Sequence, residues 1–489
     1  MRFGFTHQYA TLPDRFQTAH APARAPDPRC VVFNRPVAAL LGLDVDAVER
    51  DAAALFSGNQ LPEDARPIAT AYAGHQFGQL SPRLGDGRAL LLGEIRCPDG
   101  LQRDLQFKGS GRTPFSRGGD GFAALGPMLR EYLISEAIHA LGIPTTRSLA
   151  VVTTGARVQR ESDLPGAVLT RVAASHIRVG SFEYFSARGD VEGLRLLLDL
   201  VIARHDPQAL DAEIPALAVL EAVAERQARL IAQWMQVGFI HGVMNTDNMS
   251  IPGETIDYGP CAFMDEFDPR TVFSSIDRQG RYAYSNQPVI AQWNLARLAE
   301  ALLPLIDADA DSAVTKALTV IEPFIDRFDT HYLSGLRARI GLASEEAGDR
   351  DLIKALLDLL RDARADHTLS FRELSDAAEG AAAEAPLRTR LAAAPGIDDW
   401  LAAWRSRLSR DPQSPGERAA AMRRVNPAYI PRNHRVEAAL AAASDESDFE
   451  PFKRLLSIVQ QPFDDQAEHA AYREPPRPSE RVLQTFCGT

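Results

Sequence analysis

The hydrophobic pattern of this 489-residue chain changes from short strand-like runs in its first part to helical spacing in its second part. Residues 89–95 and 104–108 are short apolar runs separated by Cys-Pro-Asp-Gly at 97–100, a group of turn-forming residues. Together they predict two strands joined by a turn. Residues 149–153 and 167–171 predict two more strands. The pattern therefore predicts a β-sheet in the first part of the chain.

One helix is predicted within this strand-rich part, and helices dominate the rest of the chain. Residues 123–141 are apolar nearly all round a helix, which predicts burial on several sides. After a loop-rich stretch at 238–290, mostly helices are expected up to about residue 460. These helices are marked by apolar spacing at 194–201 and 219–237 and by Ala-rich runs at 296–304, 352–364 and 435–443.

The order of these elements predicts an α+β fold with four parts. Residues 1–70 form a loop-rich N-terminal arm, in which prolines break any long element, and residues 71–185 form a β-rich lobe with Gly-rich loops. Residues 186–460 form a larger helical lobe, and residues 461–489 form a polar tail. A small β-rich lobe followed by a larger helical lobe is the layout of a protein-kinase-like bilobal fold.

Composition and charge narrow the possible function classes. Acidic residues outnumber basic ones by 65 to 53, which gives a formal charge of −12. This balance argues against a nucleic-acid partner or an anionic membrane surface, since both require basic residues to neutralise phosphates. No signal peptide is visible, and no stretch approaches the roughly 18 uninterrupted apolar residues of a membrane span. We expect a cytoplasmic, monomeric protein with neither of these partners.

Lysine is rare in this chain, and its distribution singles out Lys108. Only four of the 53 basic residues are lysines, and Lys108 is the sole lysine before Lys316. Where arginine is used almost everywhere else, a solitary lysine suggests that a compact ammonium group is required. Glu131 and Glu136 in the predicted apolar helix are candidate partners, because a buried charge needs an opposite charge. The alternative is that Lys108 is an ordinary surface residue.

The segment His-Gly-Val-Met-Asn-Thr-Asp-Asn at 241–248, followed by an Asp-Tyr-Gly that begins at Asp257, has the spacing of kinase-like catalytic and metal loops. Such enzymes place an Asn five residues after a catalytic Asp, and a metal-binding Asp about ten residues later. This alignment puts Asn248 and Asp257 at the metal positions. It places Val243, which cannot accept a proton, at the position of the usual base. Asp247 could supply the missing carboxylate from a shifted position, or these residues could simply cap turns.

Two Gly-rich basic stretches are candidates for phosphate binding. The first is Gly-Asp-Gly-Arg at 85–88, and the second runs through residues 108–121. Glycines let backbone N–H groups approach phosphate oxygens, and arginines supply bidentate partners. Neither stretch is a Walker A loop, because Gly-Lys-Ser/Thr is absent, and both could instead be mobile turns. Arg171 and Arg178 could add positive charge to the same site or lie on the surface.

Read together, these segments resemble the selenoprotein O family, also called the YdiU family. The likeness rests on long motifs and runs from about residue 5 to the last few residues. The matching text is Tyr-Ala-Gly-His-Gln-Phe-Gly-Gln at 72–79, Leu-Gly-Asp-Gly-Arg at 84–88, the run at 106–121, Arg-Glu-Tyr-Leu-Ile-Ser-Glu-Ala at 130–137, the segment 241–249, Asp-Tyr-Gly-Pro at 257–260 and Asn-Pro at 426–427.

The resemblance implies a pseudokinase fold in which ATP lies flipped relative to ordinary kinases, so that the α-phosphate faces the acceptor. The implied activity is transfer of AMP from ATP to Ser, Thr or Tyr hydroxyls of target proteins, with self-modification included. The family also leaves UTP open as a donor, and it implies Mg²⁺ or Mn²⁺ as the metal. This activity would account for the valine at the usual base position.

By matched positions, the resemblance also implies a role for each site residue. Asp247 would be the proton acceptor, and Asn248 and Asp257 would hold the metal. Glu131 matches the partner of the lysine better than Glu136 does. The residues implied to bind ATP are Gly85, Gly87, Arg88, Lys108, Asp120, Gly121, Arg171, Arg178 and Asp257.

The thiols depart from the family pattern. Cys487 stands where many eukaryotic relatives carry selenocysteine, so selenium chemistry is absent, although a thiol could still form a disulfide. Some bacterial relatives have a second cysteine shortly after the Asp-Tyr-Gly segment, but residues 271–276 contain none. Cys261 is the nearest remaining thiol, and redox control by a disulfide of Cys487 stays open.

Two other functions are compatible with the same motifs. A conventional ATP-dependent kinase would share the fold and most of the site, and it would transfer the γ-phosphate. A non-catalytic ATP-binding scaffold would bind the nucleotide without forming a covalent product.

Overall fold

The computed structural model describes residues 1–486 as a mixed α/β protein with a large antiparallel sheet and many helices. The strands in this range are β1 (Phe5–Thr6), β2 (Gln17–Ala19), β3 (Arg29–Phe33), β4 (Ile68–Thr70), β5 (Gly74–Gln76), β6 (Gln79–Ser81), β7 (Ala89–Arg96), β8 (Gln102–Lys108), β9 (Ala123–Ala124), β10 (Arg147–Gln159), β11 (Asp163–Ala173), β12 (Phe239–Ile240) and β13 (Ala262–Phe263).

The α-helices in the same range are α1 (Arg35–Leu40), α2 (Val45–Arg50), α3 (Ala52–Phe56), α4 (Leu125–Ala140), α5 (Val179–Ser186), α6 (Val191–His205), α7 (Pro215–Gln236), α8 (Gln287–Ile306), α9 (Ala310–Ile321), α10 (Phe324–Arg339), α11 (Asp349–Ala363), α12 (His367–Ala377), α13 (Ala385–Arg390), α14 (Ile397–Leu408), α15 (Pro415–Arg423), α16 (Asn433–Ala441) and α17 (Glu450–Val459).

The large sheet has the strand order β2-β4-β7-β8-β11-β10-β3, with β1 added at β7 and β9 at β11. All of its ladders are antiparallel, and the strands predicted from the sequence are confirmed as parts of β7, β8, β10 and β11. β1 to β4 come from residues 1–70, so the sheet extends across the boundary drawn at residue 70. The four-part division of the chain stays a prediction.

Side chains alternate between the two faces of the sheet, because successive residues of a strand point in opposite directions. On one face, Val152 and Val168 pack in a hydrophobic cluster with α1, α2 and α3. On the other face, Val151 and Leu169 pack in the main core with α4. Lys108, at the end of β8, is paired with Leu169 in the ladder and reaches the α4 side.

The predicted helix at 123–141 is confirmed as α4, and its burial follows from its position. It packs against β10 and β11 on one side and against α16 and α17 on the other. Every residue from Met128 to Ile138 is buried. A helix that is covered on several sides must be apolar nearly all round, which is the pattern in the sequence.

The predicted loop-rich stretch at 238–290 is also confirmed. No α-helix lies between Gln236 and Gln287 within the described range, and only β12, β13 and short 3₁₀ turns interrupt the loops. The following segment, Tyr284–Ile306, is long and apolar enough to cross a membrane by length and composition, and 50% of its most apolar window is buried in the protein. A buried core helix passes the same test, so this segment is weak evidence for a membrane span.

Candidate active site

A cleft of about 730 Å³ lies between the loops of the sheet and the loops that follow α7. Its volume is in the range of small-molecule binding sites, roughly 300–1,000 Å³. It is lined by every residue to which the resemblance gave a site role, namely Gly85, Gly87, Arg88, Lys108, Asp120, Gly121, Glu131, Arg171, Arg178, Asp247, Asn248 and Asp257. The fold therefore brings together positions that are far apart along the chain.

Lys108 joins two carboxylates in this cleft. Its Nζ lies 2.6 Å from Glu131 Oε2 on α4 and 2.6 Å from Asp257 Oδ1. The lysine side chain is only 10% exposed, which excludes the alternative of an ordinary surface residue. Glu136, the other candidate partner, instead pairs with Arg147 at 2.7 Å. The geometry thus selects Glu131 as the partner of the lysine.

Two arginines complete this cation cluster. Arg171, on β11, donates from Nη2 to Glu131 Oε1 at 2.6 Å and to Asp257 Oδ1 at 2.7 Å. Arg178, at the N-cap of α5, donates from Nη1 to Asp257 Oδ2 and to the carbonyl oxygen of Asp247, both at 2.7 Å. With the lysine, three cations face two carboxylates, so the cluster keeps an excess of positive charge.

The two paired carboxylates are held in the ionised form. Burial alone would raise the pKa of Asp257, but the charges of Arg171, Lys108 and Arg178 outweigh it and hold the pKa well below its ordinary value. Burial also opposes ionisation of Glu131, and Arg171 and Lys108 again lower its pKa overall. Opposite charges at contact distance favour the charged form of each group. Both carboxylates therefore fix the cations in place.

Asp247 contrasts with these paired carboxylates. It lies in the 3₁₀ turn Thr246–Asn248 and is 8% exposed. Its Oδ1 has no hydrogen-bond partner among residues 1–486, and its Oδ2 accepts only a long bond of 3.4 Å from Gln76 Nε2. Burial raises the pKa of this carboxyl to about 6, although Arg178 opposes the shift. A carboxylate that forms no ion pair in the described range and has a raised pKa is suited to accept a proton.

The hairpin β5–β6 covers the loop that carries Asp247. Its two strands pair in antiparallel register, and the His75 N–H donates to Thr246 Oγ1 at 2.6 Å. The approach of the hairpin to this loop is close, since a Cβ atom on Gly74 would lie 2.4 Å from Asp247 Oδ1. Only glycine fits this position without displacing the carboxylate.

Oxygen atoms suited to a divalent cation are present at Asn248 and Asp257. The Nδ2 of Asn248 donates to the carbonyl oxygen of Val243 at 2.9 Å, which leaves Oδ1 as an acceptor. Mg²⁺ is commonly bound by one or two carboxylates together with substrate phosphates. In the described part of the chain, no group of three or more His, Cys, Asp or Glu side chains forms another metal site. These two residues fit a divalent cation that completes its coordination with ligands from outside the protein.

Glycines at two turns allow the backbone of the Gly-rich stretches to close on the cleft. Gly85 has a φ of +66°, and a Cβ atom there would lie 2.3 Å from the ring of Phe115. Gly121 has a φ of +75°, and a Cβ atom there would lie 2.2 Å from the carbonyl oxygen of Gly111. Side chains are excluded at both positions, so these stretches are tightly packed loops.

The remaining two predicted residues differ in their contacts. Arg88 lines the cleft and forms no ion pair within residues 1–486, so its guanidinium is available to a ligand. Asp120 pairs with Arg160 at 2.8 Å and accepts a hydrogen bond from the N–H of Phe122 at 3.0 Å. The Asp120 carboxylate therefore ties the second Gly-rich stretch to the end of β10.

Comparison with known proteins shows to which family the chain belongs. Residues 1–460 match the family model described as protein adenylyltransferase SelO. The chain belongs to the SelO family. Similar proteins named protein nucleotidyltransferase YdiU include one from Rhizobium etli strain CIAT 652, which is 61% identical over 100% of this chain and 97% of the relative. The relative from Rhizobium meliloti strain 1021 is 58% identical over 100% of this chain and 99% of the relative. The relative from Rhodopseudomonas palustris strain BisB5 is 58% identical over 100% of this chain and 100% of the relative.

The resemblance drawn from the motifs is thereby confirmed, but several lining residues of this SelO-family cleft were not predicted. Gln76 lies in the 72–79 motif, which carried no assigned role in the sequence analysis, and that motif was the available signal. Arg160 lies in a segment without a motif. Glu437 and Ser444 line the cleft from α16 and from the π-helical turn Ala442–Glu446 that follows it. No local pattern marks these last three residues.

The thiols give no support to redox control within the described range. Cys261 is fully buried, and burial raises the pKa of its thiol to about 12. Cys30, Cys97 and Cys261 are all free. Cys487 lies outside the described residues, so a disulfide of this residue stays a prediction.

Proposed function

We propose that this chain transfers AMP from ATP to Ser, Thr or Tyr hydroxyls of target proteins, with itself as one possible target. One observation carries the proposal. Val243 stands at the position of the usual kinase base, whereas Asp247 lines the cleft beside the cation cluster and its carboxylate forms no ion pair within residues 1–486. The names of the relatives, which specify nucleotidyl transfer by or to a protein, support the same reaction class.

We also propose that the sheet and the helical part are the two lobes of a protein-kinase-like fold. The cleft is lined on one side by the loops of β7, β8 and the Gly-rich stretches and on the other by the loop after α7. Nucleotide sites of kinases lie between two such lobes. This arrangement supports the bilobal assignment, and a cytoplasmic, monomeric enzyme stays the expectation from the sequence.

In the proposed reaction, Lys108, Arg171 and Arg178 bind the phosphates of ATP, and Arg88 adds a cation that pairs with no carboxylate in the described range. The acceptor hydroxyl oxygen attacks the α-phosphorus, the bond to the β-phosphate oxygen breaks, and pyrophosphate leaves. The Asp247 carboxylate takes the proton of the hydroxyl. Because its pKa is about 6, this carboxyl is mostly ionised at neutral pH and remains basic enough to act.

Asn248 and Asp257 would hold Mg²⁺ or Mn²⁺. When bound, such a metal neutralises charge on the nucleotide phosphates. Asp257 also accepts hydrogen bonds from the three cations of the cluster. Phosphate oxygens are alternative acceptors for these cations, so we expect the cations to exchange hydrogen bonds with carboxylates for hydrogen bonds with phosphates when ATP binds.

Label transfer from ATP tests the proposal. Wild-type protein and Asp247→Ala are incubated with Mg²⁺ or Mn²⁺ and either α-labelled or γ-labelled ATP, and in a parallel arm with α-labelled UTP. We expect α-label on protein, an adduct of about 329 Da and a loss of roughly 10²–10⁴-fold in the variant, as is typical when a general base is removed. Label from γ-labelled ATP alone would establish a conventional kinase. Nucleotide binding without any covalent product would establish a scaffold.

A further inference from the structure

The segment 484–486 lies extended against the loop that follows the Asp-Tyr-Gly turn. The Thr485 N–H donates to the carbonyl oxygen of Phe273 at 2.7 Å, and the Ser275 N–H donates to the carbonyl oxygen of Thr485 at 3.1 Å. Ser274 and Thr485 form a parallel β-bridge. This is the hydrogen-bond pattern of one strand adding to another. We call the edge 273–275 the docking edge and the segment 484–486 the tail segment.

The docking edge lies next to the cleft. Thr485 Oγ1 donates to the carbonyl oxygen of Pro260 at 2.5 Å, directly after the Asp-Tyr-Gly turn. Phe486 lines the cleft together with Ile276 and Phe77. These three apolar side chains are 69%, 56% and 36% exposed. They form an apolar rim at the mouth of a site whose interior is charged.

The small number of contacts that hold the tail segment indicates that the docking edge can receive another strand. The tail segment is attached through Thr485 by two backbone hydrogen bonds and one from its side chain. Few neutral hydrogen bonds hold it, so a longer segment that makes the same bonds and adds further contacts at the rim can displace it. An edge with available backbone groups is a general site for β-strand addition.

We propose that residues 273–275 are the docking edge for an extended segment of the acceptor protein, and that residues 484–486 occupy this edge as an internal competitor. The acceptor segment adds as a parallel strand, as the tail segment does. It places an apolar side chain on the rim where Phe486 lies, close to the hydroxyl that is modified. The identity of the occupant as an acceptor rests on the proposed function, whereas strand addition at the edge does not.

The first test measures strand addition on the full-length chain. A fluorescently labelled peptide of residues 481–486, Arg-Val-Leu-Gln-Thr-Phe, is titrated against the wild type and Thr485→Pro, which lacks the N–H that bonds Phe273. If the tail segment occupies the edge about nine-tenths of the time, the variant binds the peptide about tenfold more tightly. Leu483→Pro is the control, since Leu483 is 76% exposed and its N–H makes no backbone hydrogen bond in the described range. It should bind as the wild type does.

A second pair of variants tests the edge itself in the Thr485→Pro background. Ser275→Pro removes the N–H that bonds the added strand, whereas Ser275→Ala keeps it. Peptide binding should be lost in the first and retained in the second, with ATP binding and thermal unfolding showing that both are folded. Equal peptide affinity for wild type and Thr485→Pro, or binding that survives Ser275→Pro, would overturn the proposal.

The last arm connects the edge to catalysis. With casein as an unstructured acceptor and α-labelled ATP, Thr485→Pro should label casein several-fold faster than the wild type at an unchanged affinity for ATP. Tighter peptide binding without faster labelling of casein would reject the acceptor as occupant. If no form of the protein labels itself or casein, the proposed function fails, and the peptide titrations still decide whether the edge accepts a strand.

Discussion

The carboxylates of the cleft differ in whether their side-chain oxygens contact the cations. Asp257 and Glu131 contact the cations through side-chain oxygens, and both have lowered pKa values despite burial. Asp247 is as deeply buried, but Arg178 contacts only its backbone carbonyl, and burial therefore raises its pKa to about 6. Environments that push the pKa values of neighbouring groups apart separate their roles. Asp257 and Glu131 hold the cations in place, and Asp247 has the pKa required of the proposed proton acceptor.

The pH dependence of the reaction follows from the raised pKa of Asp247. Below about pH 6 the carboxyl of the free enzyme is protonated and cannot accept a proton. We expect kcat/KM for ATP to rise about tenfold per pH unit below this value and to level off above it, since kcat/KM reports groups of the free enzyme. Measurement from pH 4.5 to 8.5 under constant ionic strength checks this. A profile that is flat through pH 6 would contradict the role of Asp247.

Asp247 also affects stability, and the sign is set by its raised pKa. In the unfolded chain the carboxyl has a pKa near 3.9, so on raising the pH it loses its proton at a lower pH than in the folded protein. The folded protein must then bury an ionised carboxylate, and this cost lowers the free energy of unfolding as pH rises through about 6. Asp247→Asn removes this cost and should stabilise the protein by up to about 3 kcal/mol at pH 7.5. Urea unfolding should show the gain at pH 7.5 and little difference at pH 4. A variant less stable than the wild type at both pH values would contradict this account.

Lys108 provides a test of phosphate binding by the cluster. Lys108→Ala removes one charge-assisted contact to ATP and should cost roughly 1.5–3 kcal/mol of binding free energy, measured by titration calorimetry. Lys108→Arg should restore little, because a planar guanidinium does not replace the compact ammonium between Glu131 and Asp257. Lys316→Ala is the control, since this lysine pairs with Asp307 at 2.6 Å outside the cleft. Unchanged ATP affinity in both Lys108 variants would remove this residue from the binding site.

Among the elements, the hairpin β5–β6 fixes the loop that carries the proposed base. The N–H of Phe77 donates to Asn245 Oδ1 at 3.1 Å, and the hydroxyl of Tyr282 donates to the same oxygen at 2.6 Å. The His75 N–H bonds Thr246 on the other side of the same turn. These contacts hold the backbone on both sides of the hairpin tip. The orientation of the loop that carries Asp247 therefore depends on an element that lies more than 160 residues earlier.

Gly74→Ala tests this dependence. The added Cβ would lie 2.4 Å from Asp247 Oδ1, so either the hairpin or the carboxylate must move. A displacement of about 1 Å at a reacting group can cost about 10²-fold in rate. We expect a loss of this order in kcat with little change in ATP affinity. Gly416→Ala is the matched control, because a Cβ there meets no atom within 4 Å. Full activity of Gly74→Ala would show that the hairpin does not position the base.

The sequence predicted the elements whose signal is local and missed contacts that are created by packing. The strands β7, β8, β10 and β11 and the helix α4 were predicted because short apolar runs and all-round apolarity are visible within one window. The spacing of Asn248 and Asp257 was visible for the same reason. The role of the motif at 72–79 was not, because its partner is the loop at 243–248. Arg160 and Ser444 also lacked a signal, since only the fold brings them to the cleft.

The molecule as a whole combines an acidic surface with a basic cleft. The formal charge is −12, yet the cation cluster and the unpaired Arg88 give the cleft an excess of positive charge. An acidic exterior repels polyanions such as nucleic acids, whereas a recessed group of cations still attracts a small anion. The charge distribution thus favours a nucleotide over a nucleic acid. The cleft is lined by residues from Tyr72 to Phe486, so an occupant contacts both the sheet side and the helical side.

A ligand that bridges both sides of the cleft should stabilise the entire molecule in a metal-dependent way. At 100 times its Kd, a ligand that binds only the folded state adds about 2.7 kcal/mol, which thermal unfolding with ATP can measure. We expect Mg²⁺ to increase the stabilisation by ATP in the wild type and to have no added effect in Asp257→Asn. Asparagine suits this test, because Asp257 has a φ of +63°, which asparagine tolerates, and the substitution removes the charge of the proposed metal ligand. Asp311→Asn, at an exposed residue of α9, should respond to Mg²⁺ as the wild type does. An Mg²⁺ effect that persists in Asp257→Asn would place the metal elsewhere in the cleft.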